Sequence, residues 1–212
     1  MNECVVFLHG LGRSGFSLRK MEKFFAAAGY STLNITYPST GHRIETLVEA
    51  FVGPHLQAPA MAGFAKIHFV THSLGGIIVR FFLQRRRIEN LGRVVMLAPP
   101  NQGSKLADVL SGWGLFNLAC GPALKEFTTG AASAVRKLKP VDFELGVITG
   151  DVSLNPLFSY LIGESSDGKV SLNEARAEGM KDFLVVGRSH TFIMRAPEVM
   201  EAAKKFIETG KF

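Results

Sequence analysis

An α/β fold built on a parallel sheet is predicted for this chain of 212 residues. Three observations predict it. Short apolar runs alternate with amphipathic stretches of helical period from one end to the other. The runs are mostly continuous rather than alternating, as in Val5–Leu8, which is the pattern of strands buried on both faces. Chemistry-bearing residues gather just past the runs, where a parallel sheet collects function at the carboxyl ends of its strands. About six strands flanked by helices, in one domain over residues 1–212, are expected.

The elements follow in order. Val5–Leu8 reads as the first strand and ends in the loop His9-Gly10-Leu11-Gly12. Ser14 or Ser17 can cap a helix whose inner face is Leu18, Met21, Phe24, Phe25 and Ala28, closed by Gly29. Ser31–Thr36 is the second strand. Ile44, Leu47, Val48 and Phe51 mark a helix expected to stop near Gly53-Pro54, because proline removes a donor and clashes with the preceding turn. Lys66–Val70 and Arg93–Leu97 are the third and fourth strands. Residues 101–140 break the rhythm, with helices expected at Ser104–Leu110 and Ala131–Leu138 around the Gly-punctuated apolar stretch 112–118. Glu144–Thr149 is the fifth strand, 151–181 is read as irregular, and Asp182–Val186 is the sixth strand. Pro197–Ile207 closes the chain as an amphipathic helix with proline in its first turn.

Composition narrows the function classes. No apolar run reaches the roughly 18 residues of a membrane span. The start, Met1-Asn2-Glu3-Cys4-Val5, has no basic region ahead of it and reads as a strand rather than a signal peptide, so a cytoplasmic setting is expected. The two cysteines, Cys4 and Cys120, make no disulfide framework and are expected as buried thiols. The formal net charge is +6, yet the cations are spread along helices rather than in a phosphate-tracking stripe. Arg85-Arg86-Arg87 falls where a helix should end and complements its dipole, so nucleic acid is not an expected partner. A basic surface can instead attract anionic lipid or an acidic substrate, and transient contact with a membrane surface is compatible with it. No Cys/His cluster or H-E-x-x-H spacing is present, so neither a metal nor another cofactor is expected.

The most informative stretch is Phe69-Val70-Thr71-His72-Ser73-Leu74-Gly75-Gly76-Ile77. A strand turning sharply into a helix with serine at the turn is a nucleophile elbow, whose strained backbone demands small neighbours. Ser73 is the expected nucleophile, and Leu74, next in the chain, offers a backbone N–H at the helix start to a developing oxyanion. A serine hydroxyl needs a base in contact. Past the strand ends the candidates occur in the order Ser73, then Asp151 or Asp167, then His190, the order of one serine-triad architecture and not of the others.

Taken together, His9-Gly10-Leu11-Gly12, Thr71-His72-Ser73-Leu74-Gly75-Gly76, Ala98-Pro99-Pro100-Asn101-Gln102-Gly103-Ser104, Asp167-Gly168-Lys169-Val170-Ser171 and His190-Thr191-Phe192 resemble the α/β-hydrolase superfamily. Within it the chain is similar to small lipases and esterases and to the GPI-inositol-deacylase group. The resemblance covers essentially the whole chain. Thr71 departs from it, standing where the elbow motif has its first glycine.

The resemblance implies His190 as base and favours Asp167, in its D-G-x-V-S setting, over Asp151 as the acid that orients it. It implies the Leu11 N–H as a second oxyanion donor. The excursion 101–140 then lies over the site. Its apolar cluster Trp113, Leu115, Phe116 and Leu118 is either a satellite core or a lid and acyl-binding wall. The expected activity is hydrolysis of a small-molecule or lipid-like ester with a hydrophobic acyl group. Thioesterase, acyltransferase or phospholipase chemistry at the same site, and an inactive binding module, are the alternatives.

Overall fold

A computed structural model describes residues 2–114 and 120–212. Six strands, β1 (Glu3–Leu8), β2 (Ser31–Ile35), β3 (Lys66–His72), β4 (Leu91–Leu97), β5 (Leu145–Gly150) and β6 (Asp182–Val186), form one sheet in the order β2-β1-β3-β4-β5-β6. Every pairing is parallel. The order reverses direction between β1 and β3, which are neighbours with Leu8 opposite Thr71. That reversal leaves a crevice at the carboxyl ends of these two strands.

The unbroken apolar runs follow from burial on both faces. On one side Val6, Leu8, Phe69, Val94 and Met96 pack with Ile77, Ile78 and Phe82 of the helix Leu74–Leu83. On the other, Val5, Phe7, Val70, Val95 and Leu97 meet Met21 and Phe25 of the helix Arg19–Ala27 and Val199, Ala203 and Phe206 of the helix Pro197–Thr209. Strand residues therefore alternate between two cores rather than between core and water.

Four local expectations are revised. The helix from Ile44 does not stop at Gly53-Pro54. It passes through a π-helical stretch, Leu47–Val52, and continues as Gly53–Leu56. The wider turn, with the Gly53 N–H on the Val48 carbonyl, starts a new register in which Pro54 sits at a first-turn position that needs no N–H. Residues 131–134 are turns, and only Val135–Lys137 is helical, as a 3-10 turn. There the Ser133 hydroxyl donates to the Glu126 carbonyl, the local competition by which serine disfavours helix.

The stretch 151–181 is less irregular than expected. Pro156–Ile162 is a helix capped by Asn155, and Leu172–Ala175 carries a capping box between Ser171 and Glu174. An Asn-Pro start and an S-x-x-E pattern are the sequence signals of these two caps. Cys4 is buried, with its thiol pushed up to about 11 by burial, whereas Cys120 is only half-buried. Ser104 caps the helix Lys105–Ser111.

Among the described residues no helix is long and apolar enough to cross a membrane. Phe206, fully buried against β5 far from the elbow, reports on the sheet's packing. Phe206→Ala is expected to lower unfolding free energy by about 3–5 kcal/mol in urea titrations. A loss under about 1 kcal/mol would contradict that packing.

Candidate active site

β3 ends at His72, and the helix Leu74–Leu83 begins at once, so Ser73 must take the whole change of direction. It does so at φ 52° and ψ −120°, a positive-φ conformation costly for a residue with a side chain. Its N–H donates to the Leu97 carbonyl at the end of β4 (2.9 Å), which pins the turn.

Two glycines make the turn possible. A Cβ on Gly75 would stand 2.3 Å from the Leu8 carbonyl oxygen, so only glycine lets the helix approach the end of β1. A Cβ on Gly76 would stand 3.2 Å from Thr71 Oγ1 and 3.0 Å from Met96 Sδ. Thr71 is fully buried, and the space its side chain needs is the space Gly76 leaves. The departure from the elbow motif is thus a packing exchange between positions 71 and 76.

The other candidates converge on this turn. His190 Nδ1 donates to Asp167 Oδ2 at 2.7 Å, both side chains being almost wholly buried. A proton held on Nδ1 leaves the Nε2 lone pair as the basic face of the ring. Asp167 is fixed in turn. Its Oδ1 accepts the N–H groups of Lys169 (2.9 Å) and Val170 (2.8 Å), in a turn opened by Gly168 at φ 91°. The His190 N–H also donates to the Asp167 carbonyl at 3.0 Å. Asp151 is exposed and stands outside this network.

Ser73 and His190 line one pocket of about 200 Å³. Leu11, Leu106, Leu110, Leu124, Phe127, Phe158 and Val170 supply apolar wall, and Arg13, Cys120 and Lys169 also line it. Among the described residues no hydrogen bond reaches Ser73 Oγ. Contacts of this kind commonly tighten only when substrate is bound.

Backbone donors stand nearby. The Gly12 N–H is taken by Ser39 Oγ at 3.0 Å, whereas among the described residues no turn or side-chain hydrogen bond takes the N–H of Leu11 or of Leu74. His9 holds the Leu11 loop in shape. Its Nε2 accepts the Tyr37 N–H (3.2 Å), its Nδ1 donates to the Gly10 carbonyl (2.9 Å), and the Tyr37 hydroxyl donates to the His9 carbonyl.

His72 is not among the residues that sequence reasoning brings to the site, because neighbours around an elbow are expected to point apart. Its ring in fact lines the same pocket, and its Nε2 donates to the His190 carbonyl at 3.0 Å. Elbow residues diverge at their Cα atoms, but an imidazole is long enough to turn back. Of the apolar cluster expected over the site, Leu115, Phe116 and Leu118 lie outside the described residues. Trp113 is 45% exposed and is not among the pocket's lining residues. Among the described residues, Leu106, Leu110, Leu124 and Phe127 of the same excursion supply its wall.

The excursion is anchored by Arg80, buried on the helix behind Ser73. It donates to the Asn101 carbonyl (3.2 Å), Asn101 Oδ1 (3.0 Å) and the Lys139 carbonyl (3.0 Å). Burial without a carboxylate beside it draws the Arg80 guanidinium down to about 10. Arg85, Arg86 and Arg87 pair with Glu45, Glu49 and Glu89 at the surface, so the triple-arginine run is taken up in ion pairs. A larger cleft of about 690 Å³ opens at the amino ends of the strands. His68 on its wall already uses both ring nitrogens, on Glu3 and on the Arg93 N–H.

Residues 5–203 match the model of the family described as the alpha/beta hydrolase family. No curated protein sequence matches the chain. Among solved structures it is similar to the mature form of the Bacillus licheniformis lipase BlEst2, at 19% identity over 98% of this chain and 91% of that one, with a TM-score of 0.75. It is similar also to the metagenomic carboxyl esterase MGS0156, at 19% identity over 98% and 76%, TM-score 0.79. The phospholipase PlaB from Legionella pneumophila, in complex with thio-NAD, aligns at 20% identity over 95% of this chain but only 56% of its own, TM-score 0.76. At such identities the likeness is one of fold.

Gly75→Ala is expected to lose about 1–3 kcal/mol of stability through overpacking against Leu8. Retention of the wild-type urea midpoint would contradict the close approach. Acid should destabilise the protein for a separate reason. Burial is the leading cause holding His9, His68 and His72 below their ordinary 6.5. Below pH 6.5 the unfolded chain binds more protons than the folded one, so stability falls as pH is lowered through that window. Each histidine contributes up to about 1.4 kcal/mol per pH unit. The urea midpoint should be lower at pH 5 than at pH 7, and an unchanged or higher midpoint contradicts the sign.

Proposed function

The chain belongs to the alpha/beta hydrolase family, and from that premise we propose that it is a serine ester hydrolase acting on esters with a hydrophobic acyl group. The observation that carries the reading is the buried Asp167–His190 hydrogen bond opening onto the pocket where Ser73 sits on its strained turn. In this reading Ser73 Oγ attacks the ester carbonyl carbon while His190 Nε2 takes its proton. Asp167 holds the ring's tautomer and stabilises the imidazolium. The Leu11 and Leu74 N–H groups receive the oxyanion. Collapse passes the proton from His190 to the leaving alcohol, and water, activated by the same nitrogen, releases the acid from Ser73. No cofactor takes part in these steps.

The apolar wall supports an acyl chain as the buried part of the substrate, held by Leu106, Leu110, Leu124 and Phe127. Residues 101–140 act as a lid-like cover belonging to the same domain as the sheet. His72 is a positioning residue, steadying the His190 backbone through its carbonyl.

A fluorophosphonate probe should label the wild-type protein and leave Ser73→Ala unlabelled. Hydrolysis of p-nitrophenyl esters should fall on the order of 10⁶-fold in Ser73→Ala and on the order of 10⁴-fold in Asp167→Asn, which disturbs the tautomer. Labelling that persists in Ser73→Ala, or an Asp167→Asn enzyme of wild-type rate, overturns the assignment.

A further inference from the structure

One groove of the surface is lined mostly by cations. The arginines Arg43, Arg85, Arg86, Arg87, Arg93 and Arg188 each face a carboxylate within ion-pairing distance. Arg13, Arg19, Lys20, Lys23 and Arg195 do not, among the described residues, nor do Arg136, held by Gln102, and Arg176, stacked on Phe183. Four of them are neighbours. Arg19, Lys20, Lys23 and Arg195 line one shallow groove of about 520 Å³ together with Phe16. Lys20 Nζ donates to the Arg195 carbonyl at 3.0 Å, tying the helix Arg19–Ala27 to the turn that follows His190.

Arg13 belongs to the pocket rather than to the groove. It lines the pocket with Ser73, and its guanidinium is held below its ordinary value by burial first and by the Arg195 charge second. Of the carboxylates in these segments, Glu198 is paired with Arg188 (2.5 Å), and Glu22 accepts from Asn34 Nδ2 (2.8 Å) and keeps its charge, so the groove's four cations outnumber it. Two aromatic rings stand out from the same surface. Phe16 is 69% exposed, and Phe192, two residues past His190, is 49% exposed.

We propose that this face, formed by Arg19, Lys20, Lys23 and Arg195 with Phe16 and Phe192, docks the protein on an anionic phospholipid bilayer. The charge is complementary to lipid phosphates, and a row of cations at a surface attracts anionic headgroups over about a Debye length. The exposed rings argue for lipid over a hydrated polyanion, because a phenyl ring gains by entering the headgroup–acyl boundary. A lipid surface as docking partner suits a substrate with a hydrophobic acyl group, and in that respect the inference rests on the ester-hydrolase reading. Docking itself does not need catalysis.

The test is sedimentation with vesicles of phosphatidylcholine alone and of phosphatidylcholine mixed with phosphatidylglycerol. Wild-type protein should bind the mixed vesicles and not the neutral ones, and added salt should weaken binding. Arg19→Gln/Lys20→Gln/Lys23→Gln should bind on the order of a hundred-fold more weakly, each cation accounting for about five-fold. It should hydrolyse a soluble short-chain p-nitrophenyl ester at the wild-type rate, since none of the three touches the site. Phe16→Ser should also weaken vesicle binding at an unchanged urea midpoint.

Wild-type protein that ignores the mixed vesicles, or a triple variant that binds them equally well, overturns the proposal. So does an oligonucleotide bound as tightly as the mixed vesicles with Phe16→Ser without effect, which would mark a general polyanion site. Vesicle binding is read on Ser73→Ala as well. Failure of ester hydrolysis in the wild-type protein would therefore count against the catalytic reading and leave the docking result legible.

Discussion

Gly75 lies against the carbonyl of Leu8, and the candidate site hangs on that contact. It brings the first turn of the helix behind Ser73 up to the end of β1, where the loop carrying Leu11 begins. Parallel pairing of β1 with β3 sets the register, Leu8 opposite Thr71, and the reversal of strand order leaves the crevice open above them. Ser73 then absorbs the change of direction in one strained residue. The strain is offset by burial around it, since Leu74, Ile77 and Ile78 are fully enclosed. A serine so placed has its backbone over-determined, which a reacting group needs and a merely polar turn does not.

The polar groups around this frame are arranged to leave few degrees of freedom. Asp167 accepts three N–H groups through its carboxylate, counting the ring of His190, and His190 is held through its ring, its own N–H and its carbonyl. Arg80 reaches from the helix behind Ser73 to both ends of the excursion, at Asn101 and Lys139. Buried polar groups stabilise when each has partners, and the same connections carry the pocket wall to its place over Ser73. His9 and Tyr37 do for the Leu11 loop what Arg80 does for the excursion.

Elements whose cause is local are legible in the amino-acid sequence. The strands are, because burial on both faces leaves unbroken apolar runs, as are the elbow and the final helix with Pro197 in its first turn. Where sequence and structure part, the causes are tertiary or competing. Pro54 reads as a stop because proline rules assume an α register, and a π turn shifts that register. Ser133 draws the backbone away from helix in 131–134. The caps at Asn155 and Ser171 have local signals, but these are short and sit in a stretch with little apolar periodicity to support them. Trp113, expected either in a satellite core or in the pocket wall, is not among the pocket's lining residues, whereas Leu106, Leu110, Leu124 and Phe127 are.

Strand burial and turn chemistry act between neighbouring residues, so the parallel α/β sheet, the strand–turn–helix at Ser73 and the chain order Ser73, then Asp151 or Asp167, then His190 can be read along the chain, and the preference for Asp167 comes from the resemblance to the α/β-hydrolases. The tertiary structure sets Asp167, and not Asp151, in hydrogen bond with the His190 ring. Both follow β5, and what divides them is which carboxylate the chain folds back against the His190 ring, a matter of 2.7 Å across 23 residues. The tertiary structure also accounts for Thr71 through the room left by Gly76, turns His72 towards His190, and gathers cations of two separate segments into one groove. Such relations depend on distances between residues remote in the chain, which no local pattern encodes.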